Sequence, residues 1–291
     1  MSKVWLITGS ARGLGRSIAE AVLASGDHLV ATARDPSRLV DLQKRYGDQL
    51  RIAELDVTDA NAARAAVVVA VDAFGRLDVL VNNAGFGHVA PFEQTPEDDF
   101  RSQIDTNFYG VVNLTRAALP IMRRQRGGHI INISSVGGRI GTPGLSAYQA
   151  AKWAVGGFTE VLAQEGRAFG VKVVSVEPGG MRTEWAEIAR GQMPEVLTDY
   201  EPSVGAILEL LKQIGGNEAS DPARVAQVIL RLAAHDTPPA HLLLGSDALH
   251  YFGQADAARA AAAEQWRPVS VSTDVTASDP IPALALAEVH R

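Results

Sequence analysis

Val4-Trp5-Leu6-Ile7-Thr8-Gly9-Ser10-Ala11-Arg12-Gly13-Leu14-Gly15 decides the fold of this 291-residue chain. An apolar run without polar alternation reads as a strand buried on both faces, three glycines interrupt it, and from Leu14 to Ala24 the apolar spacing turns helical. Glycines in that place let the backbone turn sharply and approach a pyrophosphate, whose charge is stabilised by free N–H groups at the helix N-terminus. The spacing is Gly-x-x-x-Gly-x-Gly, not the Gly-x-Gly-x-x-Gly of the commoner dinucleotide fingerprint. Tight packing alone also explains such a turn, but its position after the first strand of a βαβ unit favours a nucleotide.

Outward from that unit the pattern repeats. Short β-branched runs at Val4 to Thr8, Leu29 to Ala33, Arg51 to Leu55, Val79 to Asn82, His129 to Ser134 and Val171 to Glu177 alternate with amphipathic stretches. The stretches are Leu14 to Ala24, Ala60 to Phe74, Pro96 to Arg124 and Ala147 to Phe169. Alternation of this kind predicts an α/β fold, a single-domain, Rossmann-like, doubly wound parallel sheet with helices on both faces. His241 to Leu244 is a candidate further strand. No Pro/Ser/Gly-rich linker divides residues 1–247, which are expected to form one domain with a lid at 181–216. Residues 248–291 are expected to add a helix over Ala255 to Glu264 and, from Arg267, an extended or mobile tail.

Composition narrows the function. A net charge of -6 offers no general attraction to phosphate backbones or anionic membranes, so neither nucleic acid nor membrane is an expected partner. There are no cysteines and no His-x-x-x-His pair, so no metal is expected. The opening apolar run stops at Gly9, shorter than a secretory leader, and no stretch reaches the roughly 18 apolar residues of a membrane span, which makes a cytoplasmic location the expectation.

Reactive groups concentrate in residues 135–152, where Ser135 leaves an apolar strand, a glycine-rich loop follows, and Tyr148 and Lys152 stand four apart on one helix. Phenol and ammonium then project from the same face, and a cation beside a phenol is expected to lower its pKa from the ordinary value of about 10. At the end of the second strand comes Ala31-Thr32-Ala33-Arg34-Asp35. A carboxylate there would accept from the 2'-hydroxyl of NAD, whereas a cation accommodates the 2'-phosphate of NADP. Arg34, with Arg12 within reach of the same phosphate, makes NADP (NADPH) the expected cofactor, and Asp35 keeps NAD as the alternative.

Taken together, Thr8-Gly9-x-x-x-Gly13-x-Gly15, Asn82-Asn83-Ala84-Gly85, Asn107, Ser135, Tyr148-x-x-x-Lys152 and Pro178-Gly179 resemble the short-chain dehydrogenases/reductases in order and spacing, from residue 3 to about 247. The resemblance implies an NAD(P)-dependent oxidoreductase acting on a ketone, aldehyde or secondary alcohol. Tyr148 would be the general acid or base, with Ser135, preferred to Ser134 by its thirteen-residue distance from Tyr148, binding the substrate oxygen. Lys152 would tune the phenol and bind the nicotinamide ribose, and Asn107 would hold a relay water. Gly9, Ser10, Arg12, Gly13, Leu14, Gly15, Arg34, Asp56, Val57, Asn83, Ala84, Gly85, Pro178, Gly179, Met181 and Thr183, with Tyr148 and Lys152, would hold the cofactor. The pattern is most similar to the branch containing 17β-hydroxysteroid and retinol dehydrogenases. Assembly as a homodimer or homotetramer through the helices Pro96 to Arg124 and Ala147 to Phe169 is also implied.

For the substrate, Ser135, Tyr148, Phe86, Met181 and Trp185 are the expected contacts, with Ile188 and Met193 adding an apolar underside to the lid. A moderately large apolar alcohol or ketone follows. Phe86-Gly87-His88 is one of the loops expected to shape the pocket, and His88 could touch substrate, although a lone loop histidine is more often a solvated side chain. Two other classes compete with an enzyme: a non-catalytic NADP-sensing regulator on the same fold, which has no need of a proton donor, and an interaction protein whose long helices mainly make an oligomer.

Overall fold

The computed structural model describes residues 2–191 and 194–275. In chain order the elements are β1 (Val4–Ile7), α1 (Gly13–Ala24), β2 (His28–Ala33), α2 (Val40–Tyr46), β3 (Leu50–Glu54), α3 (Ala60–Phe74), β4 (Val79–Asn82), α4 (Glu97–Ile104), α5 (Gly110–Gln125), β5 (Gly128–Ile133) and α6 (Ser146–Gly166). They continue with β6 (Val171–Pro178), α7 (Trp185–Arg190), α8 (Ala206–Ile214), α9 (Pro222–Leu232), β7 (His241–Leu244), α10 (Ser246–Gln265) and α11 (Arg267–Val271). The seven strands make one parallel sheet in the order β3-β2-β1-β4-β5-β6-β7. The winding direction reverses between β1 and β4, which opens a crevice at their carboxyl ends.

Side-chain alternation along the strands builds both layers. Trp5 and Ile7 face one way and pack with Ile18 and Val22 of α1 and Val225 and Ile229 of α9. Val4 and Leu6 face the other way, onto Ala63 and Val67 of α3, Leu114 and Ala118 of α5 and Leu162 of α6. Because both faces are covered, the strands are mostly apolar, and buried polar residues gather toward their carboxyl ends, at Thr8, Thr32, Asn82, Asn132 and Glu177.

Local chemistry sets the helix limits. Asp59 caps α3 by accepting from the N–H groups of Asn61 and Ala62 at 2.7 and 3.2 Å, and Gly75, at φ 77°, ends it. Asp221 caps α9 in the same way, with Pro222 in the first turn. The stretch from Pro96 to Arg124, expected as one helix, is interrupted by a π-helical turn over Asp105–Tyr109, which holds Asn107 fully buried. At the other end, α10 runs over Ser246–Gln265, and the first residues of the tail expected from Arg267 form the short helix α11 (Arg267–Val271). Pro268 sits in the first turn of α11, where a missing N–H costs nothing. Residues 276–291 of the expected tail, and Met193 of the expected lid underside, lie outside the described residues. No described helix is long and apolar enough to cross a membrane.

Candidate active site

A cleft of about 1570 Å³ opens over the carboxyl ends of the strands. At its base the β1–α1 turn is built for close approach. Gly9 and Gly13 have φ of 68° and 53°, values that a side chain disfavours. Gly15 packs so tightly on the Gly9 carbonyl and the Asn83 amide that a Cβ has no room. α1 begins with neither a side-chain cap nor an acidic residue in its first turn, which leaves its N–H groups to an anion. Asn83 ties the turn to β4, its Nδ2 donating to the carbonyls of Thr8 at 2.9 Å and Gly9 at 3.2 Å. In return Thr8 Oγ1 accepts from the N–H groups of Asn83 and Ala84, both at 2.9 Å. This glycine cradle, with free helix N–H groups and arginines at the end of β2, fits a dinucleotide.

Every residue expected at the cofactor lines this cleft except Ser10. Ser10 is fully buried, with Oγ donating to the Ile7 carbonyl at 2.9 Å and its N–H to the Thr32 carbonyl at 2.9 Å. Its polar groups hold the sheet rather than face the cleft. Asp35 spends its carboxylate on the N–H and hydroxyl of Ser37, at 3.0 and 2.6 Å, which holds its pKa below the usual value. Arg34 and Arg38 line the same end of the cleft. Arg12, expected beside Arg34, pairs instead with Glu184 at 3.2 Å, both side chains being solvent-exposed. Burial works to raise the pKa of Asp56, but hydrogen bonds from Thr58 and the charge of Arg34 outweigh it and lower the value. Thr183 stands over Gly13, 3.7 Å from where a Cβ would be.

Ser135, Tyr148, Lys152 and Asn107 meet in the middle of the cleft. Gly87 lies against the Tyr148 ring, and Trp185 of α7 tilts over it at 5.3 Å between centroids. Ser135 Oγ accepts from the Gly137 N–H at 3.0 Å, while Ser134 Oγ turns inward and donates to the Lys152 carbonyl at 3.2 Å. Lys152 Nζ donates to the Ile133 carbonyl at 2.8 Å and sits 5.6 Å from the centre of the Tyr148 ring. Asn107 uses both Nδ2 protons on the carbonyls of Phe86 and Gln103, each at 2.7 Å, and its Oδ1 accepts from the Phe86 N–H at 3.2 Å. A Cβ on Gly85 would meet Asn107 Oδ1 at 2.5 Å and Lys152 Nζ at 3.5 Å, so glycine lets these two groups approach.

Electrostatics here differ from the sequence expectation. Burial pushes the Tyr148 phenol up to about 12, and the Ser135 hydroxyl, which favours the phenolate, only partly opposes it. Burial also pulls the Lys152 ammonium down to about 8. Spacing alone predicts a cation lowering the phenol, but desolvation of both groups is the larger effect.

The far wall is apolar: Trp185 and Ile188 of α7 with Ile207, Leu210, Leu211 and Ile214 of α8 line the cleft, as do Phe86 and Met181. The stripe on α8 was missed in sequence although its three-and-four spacing is a helical signal. Also missed were Glu218 and Asp247, each with a buried carboxylate oxygen that has no partner among the described residues. The other oxygen of Asp247 accepts from the Gly180 N–H at 2.7 Å, and its carboxylate fills the space that a side chain on Gly179 would need. Only Gly245 beside it, at φ 108°, gave a local signal.

Residues 3–193 match the short chain dehydrogenase family. Oxidoreductase BOA17 of Botryotinia fuckeliana is 47% identical over 94% of this chain and all of its own length. A 3-ketodihydrosphingosine reductase of Bacteroides thetaiotaomicron is 35% identical over 84% of this chain and 88% of its own. Among solved structures, a short-chain dehydrogenase from Streptomyces avermitilis superposes with a TM-score of 0.87 at 38% identity, covering 94% of this chain and all of that one. ElxO with NADP bound superposes with a TM-score of 0.72 at 30% identity, covering 86% and 100%. With the parallel sheet, the glycine cradle and these relatives in hand, the chain belongs to the short-chain dehydrogenase/reductase family of NAD(P)-dependent oxidoreductases.

Proposed function

We propose that this enzyme is an NADP(H)-dependent carbonyl reductase for a moderately large apolar ketone or aldehyde, with Tyr148 as its general acid. The observation that carries the proposal is the meeting of the Tyr148 and Ser135 hydroxyls in a cleft that runs from the glycine cradle to an apolar wall. When bound, the nicotinamide exchanges a hydride with the carbonyl carbon. Tyr148 donates its proton to the carbonyl oxygen, and Ser135 hydrogen-bonds the same oxygen as negative charge develops on it. A phenol pushed up to about 12 is protonated at neutral pH, the form that reduction requires. Lys152 binds the nicotinamide ribose and supplies positive charge as the phenol gives up its proton. Asn107 keeps a lone pair of Oδ1 toward Lys152 and steadies a relay water there.

Arg34 and Arg38 at the end of β2, with the Asp35 carboxylate engaged by Ser37, support a 2'-phosphate and hence NADP over NAD. The apolar side chains of α7 and α8 support the substrate class, and the resemblance to the 17β-hydroxysteroid and retinol dehydrogenase branch agrees with it without assigning steroid or retinoid activity. Exposed Tyr109 on the π turn, with Trp153 and Val161 on α6, supports assembly as a homodimer or homotetramer.

The test is a panel of ketones, aldehydes and secondary alcohols followed at 340 nm with each cofactor. Tyr148→Phe is expected to lose nearly all turnover while its Kd for NADPH stays within about twofold, because the phenol acts in the reaction rather than in binding. A variant that retained turnover would exclude Tyr148 as the acid, and a protein that bound NADPH but reduced nothing would favour the sensor. Arg34→Ala is expected to raise the Kd for NADPH by about tenfold and leave that for NADH unchanged. Equal effects on both cofactors would remove the NADP assignment.

A further inference from the structure

The segment Phe86-Gly87-His88 carries a second polar system into the cleft, one that the proton-donating pair does not use. Asp99 and Gln103 on α4 and Asn107 in the π turn follow one another at four-residue intervals, so they rise along one side of the helix and meet this segment in turn. Asn107 holds Phe86 by both its N–H and its carbonyl. Gln103, buried, accepts from the His88 N–H at 3.2 Å and donates to Asp99 Oδ2 at 2.7 Å. Asp99 Oδ1 lies 2.7 Å from His88 Nδ1. The histidine expected as a solvated loop residue is thus only 20% exposed, bound to a carboxylate and tilted against Phe86 at 5.2 Å.

This arrangement settles which ring nitrogen is left for a ligand. A carboxylate only accepts, so Nδ1 carries the proton given to Asp99, and Nε2 is the remaining polar atom of the ring. No described residue bonds Nε2, and His88 lines the same cleft as Tyr148 and Ser135. Neighbouring Gly87 packs on the Tyr148 ring, where a Cβ would stand 2.8 Å from Cδ2. His88 therefore sits one residue from the edge of the phenol. Three side chains of one helix fix this segment and its imidazole, far more than a surface histidine requires.

We propose that His88, held by Asp99 and Gln103, is a specificity-determining residue that binds a hydroxyl on the substrate a few bonds from the reacting carbonyl, making hydroxy ketones the preferred class. A hydroxyl both donates and accepts, so it satisfies Nε2 in either protonation state. A substrate without one covers Nε2 and leaves it without a partner beside Phe86, a loss that binding must absorb. Asp99 is a positioning residue, since it acts only through the imidazole. The inference rests on Tyr148 and Ser135 marking the carbonyl end of the cleft.

The test uses the full-length protein with decan-2-one, 1-hydroxydecan-2-one and 4-hydroxydecan-2-one. kcat/KM is measured with NADPH, and Kd for the same three compounds by calorimetry without turnover. At least one hydroxy ketone is expected to exceed decan-2-one by about tenfold or more. That ratio should fall to about 1 in His88→Ala, be partly kept in His88→Gln, and shrink in Asp99→Asn through KM rather than kcat. A wild-type ratio near 1, or the same ratio in His88→Ala, overturns the inference while turnover of decan-2-one upholds the carbonyl reductase. If nothing is turned over but the Kd preference exists and vanishes in His88→Ala, the inference stands and carbonyl reduction falls.

Discussion

Lys152 holds an ammonium in the protein interior with one carbonyl among the described residues, that of Ile133, as its hydrogen-bond partner. Its pKa of about 8, against an ordinary 10.5, means that the folded state disfavours the charged form that the unfolded chain prefers. This destabilisation is fully present below pH 8, shrinks as pH rises, and is gone above about 10.5, where both states are neutral. By linkage it amounts to about 3 kcal/mol at pH 7, and the hydrogen bond to Ile133 returns about 1. Lys152→Met is accordingly expected to abolish turnover yet raise the melting temperature by roughly 5 °C at pH 7, with the gain disappearing toward pH 10. Calorimetric scans across that range check it, and an unchanged or lower melting temperature would refute the burial argument. The same pKa sets the alkaline limb of kcat/KM for NADPH, which reports the cofactor-free enzyme and is expected to fall above about pH 8. A limb near pH 12 would instead belong to Tyr148.

At the scale of elements, the β1–α1 turn, the end of β4 and the N-terminus of α1 form one rigid corner because Gly9, Gly15, Thr8 and Asn83 interlock. Gly15→Ala puts a methyl group into the Gly9 carbonyl, so it is expected to cost about 1–3 kcal/mol of stability and to weaken NADPH binding together. Thermal melts and cofactor titrations of that variant separate a rigid corner from an adaptable one, in which neither would change. Elements with local punctuation were legible in the sequence: α3 lies between Asp59 and Gly75, and the buried strands end where Thr8 and Asn82 bring in polarity. The π turn was not, because Pro96 to Arg124 keeps its apolar period while Asn107 is drawn inward by the carbonyls of Phe86 and Gln103. Ser135, Tyr148 and Lys152 were visible as spacing, but their protonation was not, since it depends on burial by α7 and by residues distant in the chain. His88 shows the same limit, for its partner Asp99 lies on a helix that only the tertiary fold brings near.

At the scale of the molecule, α10 is part of the working structure rather than an appendage. Asp247 in its first turn holds the Gly180 N–H, Phe252 lies under the Arg139 guanidinium at 4.7 Å, and Arg259 donates to the Arg139 carbonyl at 2.9 Å. Arg139 also reaches the buried Glu177 of β6 at 3.4 Å, so the loop that follows Ser135 is clamped between the sheet and α10. A chain ending after Leu244 keeps all seven strands, yet its kcat is expected to fall by about 100-fold because the loops carrying Ser135 and Gly180 lose their outer support. The double variant Phe252→Ala/Arg259→Ala should fall in the same direction with an unchanged circular dichroism spectrum, and full activity in it would show that α10 is dispensable. Arg259 and the carbonyl it binds are 120 residues apart, which gives the clamp a consequence in time. A ribosome delivers every reacting group well before it delivers this arginine, so the growing chain carries the chemistry long before it carries a finished site, and competence waits for α10 to emerge.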